Sequence, residues 1–146
     1  MPRRFEFNLE PVLRYRRMTE DQRKRAFGEA SRRVDEQARK LDGLEREEGD
    51  ARAEFAGLRS GLLSPTQLRL QESYLVAMER RIRREAAELV KRLQVREERR
   101  VEFVEARKQV RVLERLRERR MIEYRREVER EEQKILDEVR RTEQVA

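Results

Sequence analysis

The chain has 146 residues, 47% of them charged and 36% hydrophobic, with 38 basic against 31 acidic residues and a net charge of +7. So small an apolar fraction cannot fill the core of a compact globule of this length, which leaves a disordered polyampholyte or long helices that each bury one narrow seam. With no histidine and no cysteine, thiolate and imidazole metal sites, Ser-His-Asp and Cys-His triads, disulfides and redox thiols are all excluded.

The first residues, Met-Pro-Arg-Arg-Phe-Glu-Phe, carry no apolar h-region, and no stretch approaches the roughly 18 apolar residues of a spanning helix. A soluble, cytoplasmic protein is expected. Phe5 and Phe7 form a short extended lead-in. Asn8 is the predicted N-cap of a first helix, with Pro11 tolerated in the first turn and Phe7 and Val12 at the staple positions. From Phe27, steps of three and four reach Ala30, Val34, Gln37, Leu41, Leu44, Glu48, Ala51, Phe55 and Leu58, which reads as a coiled-coil seam. Running backwards, the same frame reaches Leu13 and Leu9 but passes Arg23, Glu20 and Arg16. These polar seam residues leave two readings open, interhelical ion pairs or a looser middle.

The first helix is predicted over about residues 8–60 and a loop over about 61–64. Ser60 and Leu62 fall in this neighbourhood. Gly61 suits a helix C-cap, Ser64 caps the next helix, Pro65 takes its first position and Gln67 completes a capping box. Leu63 and Leu68 occupy the staple positions. From Thr66 to Ala146 there is neither glycine nor proline, and a second helix is predicted over about 65–143. Its seam runs through Leu68, Leu75, Met78, Ile82, Leu89, Phe103, Ala106, Val110 and Leu113, interrupted by Glu85, Arg92, Arg96 and Arg99. After Leu113 the frame shifts by four residues, a stutter, and resumes at Met121, Tyr124, Val128 and Ile135.

The predicted fold is all-α, a single domain over 1–146. It is an antiparallel two-helix coiled-coil hairpin with a longer, overhanging second helix, because a tight loop makes neighbouring helices antiparallel. The helices would measure roughly 80 and 120 Å, and the first would run out opposite about residue 118, leaving ~28 residues to project alone. Acid-before-base pairs four residues apart, Glu20/Lys24, Asp35/Arg39, Asp42/Arg46, Glu48/Arg52, Glu79/Arg83 and Glu88/Arg92, support the solvent faces.

The projecting stretch carries an apolar stripe of Met121, Ile122, Tyr124, Val128, Ile135, Leu136 and Val139, with nothing in a two-helix hairpin to cover it. Such a stripe marks partner binding, with self-association and fraying as alternatives. Val76, Val90, Val104 and Leu116 lie off the seam and read equally as a groove-facing surface or as scattered exposed residues. The arginine clusters at 80–84 and 115–120 are laced with glutamates, so a solvated face or an acidic protein partner is favoured over nucleic acid. No P-loop run occurs, and coiled-coil faces offer no enclosed pocket, so no enzymatic activity and no cofactor are expected.

The opening run, Phe5-x-Phe7-x-Leu9-Glu10-x-Val12-Leu13-x-x-Arg16, resembles the start of the FliJ family of bacterial flagellar export proteins. The run from Leu113-Glu114-x-Leu116-x-Glu118-Arg119-Arg120 through Glu123-Tyr124 and Glu127 to Glu132-Gln133-Lys134-x-Leu136-Asp137-Glu138 is similar to that family's C-terminal pattern. The resemblance implies a non-enzymatic stalk and adaptor that binds the hexameric flagellar export ATPase, the membrane export gate component FlhA and export chaperones. It implies a protein peripheral to the cytoplasmic face of the inner membrane, held there by partners, within a type III secretion system serving motility. The stalk analogy places Phe5, Leu9, Leu13, Arg119, Met121, Tyr124, Val128, Glu132, Gln133, Lys134, Ile135 and Asp137 at the ATPase ring, and Leu44, Tyr74 and Met78 at the gate. Where some family members carry aromatics on the first helix near the loop, this chain reads Glu47, Glu48 and Ala51. The equivalent stalk of a virulence secretion system and a generic coiled-coil dimer are the alternative readings.

Overall fold

The computed structural model describes residues 3–59, 61 and 63–146. Ser60 and Leu62, from the neighbourhood of the predicted loop, lie outside the described residues. The fold is all-α, with two helices and, among the described residues, no strand: α1 spans Glu10–Leu58 and α2 spans Pro65–Val145. The chain divides into two compact units, one of Met1–Gln22 with Phe103–Ala146 and one of Arg23–Glu102.

The Arg23–Glu102 unit contains the connection between the helices. Its α1 face buries Ala30, Val34, Gln37, Leu44 and Ala51, with Phe27, Leu41, Glu48 and Phe55 half-buried. These are the predicted seam positions, because a 3.6-residue turn returns side chains to one face every three or four residues. Leu58 departs from the pattern and is exposed. On α2 the unit buries Met78 and also Gln71, a seam position where a polar residue hides the pattern. Contacts across the helices run in order: Phe55 meets Tyr74 edge-on with ring centroids 5.8 Å apart, Arg52 pairs with Glu79 at 2.6 Å, Lys40 with Glu85 at 3.1 Å and Arg23 with Glu102 at 3.3 Å. As the α1 number falls, the α2 number rises, as a two-helix hairpin requires.

The start of α2 has the predicted chemistry. Gln67 N–H donates to Ser64 Oγ and Ser64 N–H donates to Gln67 Oε1, each at 3.2 Å, and Pro65 is the first helical residue. The capping box thus satisfies one N–H in the first turn of α2 and that of the cap residue itself. Gly61 differs from expectation. No described glycine has a positive φ, so Gly61 is not the left-handed cap; its N–H instead closes a turn onto the Leu58 carbonyl at 3.2 Å.

The other unit is built on a core of Phe7, Leu13 and Val110, against which Phe5, Leu9, Leu113 and Leu116 pack. Leu13 is completely buried. Burying a leucine this fully stabilises by about 1.5–3 kcal/mol relative to leaving it exposed. Around this core Arg117 pairs with Glu10 at 3.2 Å, partly buried, and Arg17 with Glu114 at 3.4 Å, a solvent-exposed pair worth about 0–1 kcal/mol.

Helix α1 begins two residues later than predicted. Leu9 supplies the first helical carbonyl, accepting from Leu13 N–H at 2.9 Å, while the side-chain oxygen of Asn8 accepts from Arg120 Nη1. A tertiary partner has taken the side chain that local chemistry assigns to capping. The expected uncovered stripe is also shorter. The Tyr124 hydroxyl donates to the Arg3 carbonyl, and the Tyr124 ring packs on Phe5 at 5.6 Å, so the segment ahead of α1 covers part of α2 beyond residue 118. Met121, Tyr124 and Val128 are half-buried, whereas every residue from Glu129 to Ala146 is exposed.

Candidate functional site

Helices without an enclosed pocket carry function on exposed faces, and the two units present different ones. In the unit containing Phe103–Ala146, the extended residues before Phe7 lie along α2. Phe5 stacks on Tyr124, and the Arg117 guanidinium sits 5.9 Å from the Phe5 ring centroid. Arg120 stands 5.6 Å over the Phe7 ring. These contacts bound an open groove of about 700 Å³ whose lining includes Arg3, Arg4, Phe5, Tyr124, Val128 and Glu131. Farther along α2, Ile135, Leu136 and Val139 are about half exposed, at 59%, 54% and 48%. They form the apolar stripe on a helical stretch where all neighbours are solvated. Gln133 Nε2 donates to Asp137 Oδ1 at 3.2 Å, an i,i+4 bond on that stretch.

The residues expected at a ring therefore separate into three kinds. Leu13 is core and cannot touch a partner while the unit is folded. Phe5, Leu9, Met121, Tyr124 and Val128 are half-buried beside that core. Arg119, Glu132, Gln133, Lys134, Ile135 and Asp137 are exposed.

In the Arg23–Glu102 unit the residues expected at a gate divide likewise. Leu44 and Met78 are buried at 5% and 6%, and only Tyr74 is exposed. Next to Tyr74, Leu70 and Val76 are exposed, and α2 presents a shallow groove lined by Arg69, Glu72, Ser73, Val76, Ala77 and Arg80. Off-seam Val90 is exposed as well, while Val104 is half-buried and Leu116 belongs to the other unit's core.

Several of the polar seam positions make cross-helix bonds, whereas Arg99 pairs with Glu102 within α2. Arg16 donates to Gln109, Arg23 pairs with Glu102, and Arg92 Nη1 donates to the Arg33 carbonyl at 3.1 Å. Gln37, the most buried polar side chain, donates from Nε2 to both the Glu85 carbonyl and the Glu85 carboxylate. That bond, with the Lys40 ammonium beside it, holds the Glu85 carboxyl below its ordinary range. Arg100 does the same to Glu97, chiefly by hydrogen bonding. Both shifts come chiefly from hydrogen bonding to the charged carboxylate, and burial opposes them. Among the described residues no acidic cluster has the geometry to hold a metal ion, and no helix is long and apolar enough to cross a membrane.

The sequence reading places Val12 at a staple position but does not single out the exposed apolar face that Val12, Tyr15 and Met18 form on α1, at 41%, 64% and 63%. Their spacing of three was the available signal, masked by the arginines between them.

No curated protein and no solved structure matches the chain. The family model described as Flagellar FliJ protein matches residues 5–142, from the segment packed on α2 to the last turns of that helix. That span takes in the core unit, the capped connection and the exposed stripe together, and the chain belongs to the FliJ family of flagellar proteins.

Proposed function

We propose that this protein is a non-enzymatic stalk and adaptor of the flagellar type III export apparatus, folded as an antiparallel hairpin whose longer helix overhangs. It binds the hexameric export ATPase through the end of α2, couples that ring to the export gate component FlhA, and engages export chaperones. It works at the cytoplasmic face of the inner membrane, held there by its partners. The carrying observation is the family match over nearly the whole chain. The mode of binding is supported by Ile135, Leu136 and Val139, an apolar stripe on a helix end with no cover from its own chain. A ring lumen lined with apolar side chains would remove that stripe from water.

For the gate, burial of Leu44 and Met78 leaves Tyr74 as the expected residue able to make contact, with exposed Leu70 and the arginine-lined α2 groove beside it. The flagellar character of the matching family favours this system over a virulence secretion system. Deletion of the gene should abolish export of flagellar subunits, and the wild-type chain should restore it. Ile135→Asp with Val139→Asp should leave helicity unchanged and abolish co-purification with the export ATPase. Full binding by that double variant would overturn the role assigned to the α2 end, and normal export in the deletion strain would overturn the function itself.

A further inference from the structure

The residues before Phe7 are held differently from Phe7 itself. Phe7 is 7% exposed and belongs to the core with Leu13 and Val110. Arg3–Glu6 lie outside any helix. Phe5 packs against the edge of that core, and three further contacts hold the segment: the Tyr124 hydroxyl donating to the Arg3 carbonyl, the tilted Phe5–Tyr124 pair and the Arg117 guanidinium near the Phe5 ring. Each is weak and partly solvated, and together they must offset the entropy of fixing four residues of extended chain. The balance between these contacts and that entropy is therefore finer for this segment than for Phe7, which is anchored in the core.

What the segment covers gives the balance a consequence. It contacts Tyr124 and shares a groove with Val128, the last half-buried residues of the α2 stripe before the fully exposed stretch. Charge also favours closure. Arg3 and Arg4 line the groove on one side, and Glu123, Glu127 and Glu131, spaced at four-residue intervals on α2, line the other. Among the described residues no comparable cover lies over Ile135 or Val139.

We propose that Arg3–Glu6 is a displaceable strap, hinged at Phe7, that closes over Tyr124 and Val128 in the free protein and opens when a partner occupies the end of α2. This rests on the reading of that end as partner-binding. Opening lengthens the apolar stripe by about three helical turns, from the Ile135–Val139 region back to Tyr124. A partner thus meets a short stripe first and a longer one after the strap moves.

The absence of cysteine allows unique labelling. Spin labels at Arg4→Cys and Glu131→Cys, measured in the free protein by pulsed electron resonance, should give a short and a long distance, with the long one growing as salt screens the groove charges. One unchanged short distance at both low and high salt would overturn the strap. A second measurement uses Arg4→Cys with Glu127→Cys joined by a short reducible thiol crosslinker. The locked protein should bind the export ATPase at least ten-fold more weakly than the same protein after reduction. Equal binding before and after reduction would overturn the gating. If neither the wild-type nor the reduced variant binds the ATPase, the functional reading fails, and the salt-dependent distances still decide whether the strap moves.

Discussion

Leu13 and Ile135 are both apolar seam residues in the sequence, yet they do opposite things. Leu13 is completely buried and Ile135 is 59% exposed. Leu13→Ala should lower unfolding stability by about 2–5 kcal/mol in chemical denaturation, because a cavity replaces core contacts. Ile135→Ala should stay within ~0.5 kcal/mol, so any loss of partner binding there is a direct effect. Gln37 is a different kind of core residue. It and Lys40 hold Glu85 below its ordinary value of 4.5. A carboxyl with a depressed folded-state pKa stabilises the fold fully above its unfolded value and loses that contribution as pH falls through the folded one. Gln37→Leu removes the larger cause, so the drop in melting temperature between pH 7 and pH 3 should be smaller in the variant than in wild type. An equal drop would show that Gln37 does not set the Glu85 titration. Gln37 was legible as a seam position from its spacing, but its carboxylate partner was not, since pairing across helices depends on register.

At the scale of elements, helix starts show how far local chemistry reaches. Ser64, Pro65 and Gln67 are adjacent in the chain and solvated, so their reciprocal bonds form as the sequence predicts. Ser64→Ala should cost about 0.5–2 kcal/mol, read from the denaturation midpoint, by removing the cap oxygen. Asn8 has the same capping chemistry but lies beside Arg120, and the tertiary bond wins. Gly61 teaches the complementary lesson. Its turn needs no positive φ, and an added Cβ would meet only the Leu58 carbonyl oxygen at 3.7 Å, an ordinary contact. Gly61→Ala should therefore be neutral or stabilising by about 0.4–1 kcal/mol, through the lower entropy of the unfolded chain. A destabilised Gly61→Ala would mean that the turn needs glycine after all. Four of the acid-before-base pairs form as ion pairs, at Asp42/Arg46, Glu48/Arg52, Glu79/Arg83 and Glu88/Arg92. By contrast, Arg39 donates to the Asp35 carbonyl rather than to its carboxylate.

At the scale of the whole molecule, charge and seam together define what the protein can be. With 47% charged residues, almost every face outside the seams is solvated, and apolar exposure becomes informative where it clusters. The double change Ile135→Asp and Val139→Asp belongs here, since it should leave the circular dichroism and melting profile unchanged while removing an assembly contact. A change in helicity would mean that the α2 end is held by its own chain. The sequence by itself determined the two long helices, their buried faces and the capped start of α2, because periodicity, helix propensity and capping are local properties carried by neighbouring residues. It also carried the family, through motifs near both ends of the chain. Only the tertiary structure decided which members of those motifs are core and which are surface. Leu13 is claimed by Phe7 and Val110, Asn8 by Arg120, and Tyr124 by Phe5 and Arg3. Apart from the nearby Phe7–Leu13 contact, those pairings join residues roughly a hundred positions apart, and no local pattern in the chain records such a distance.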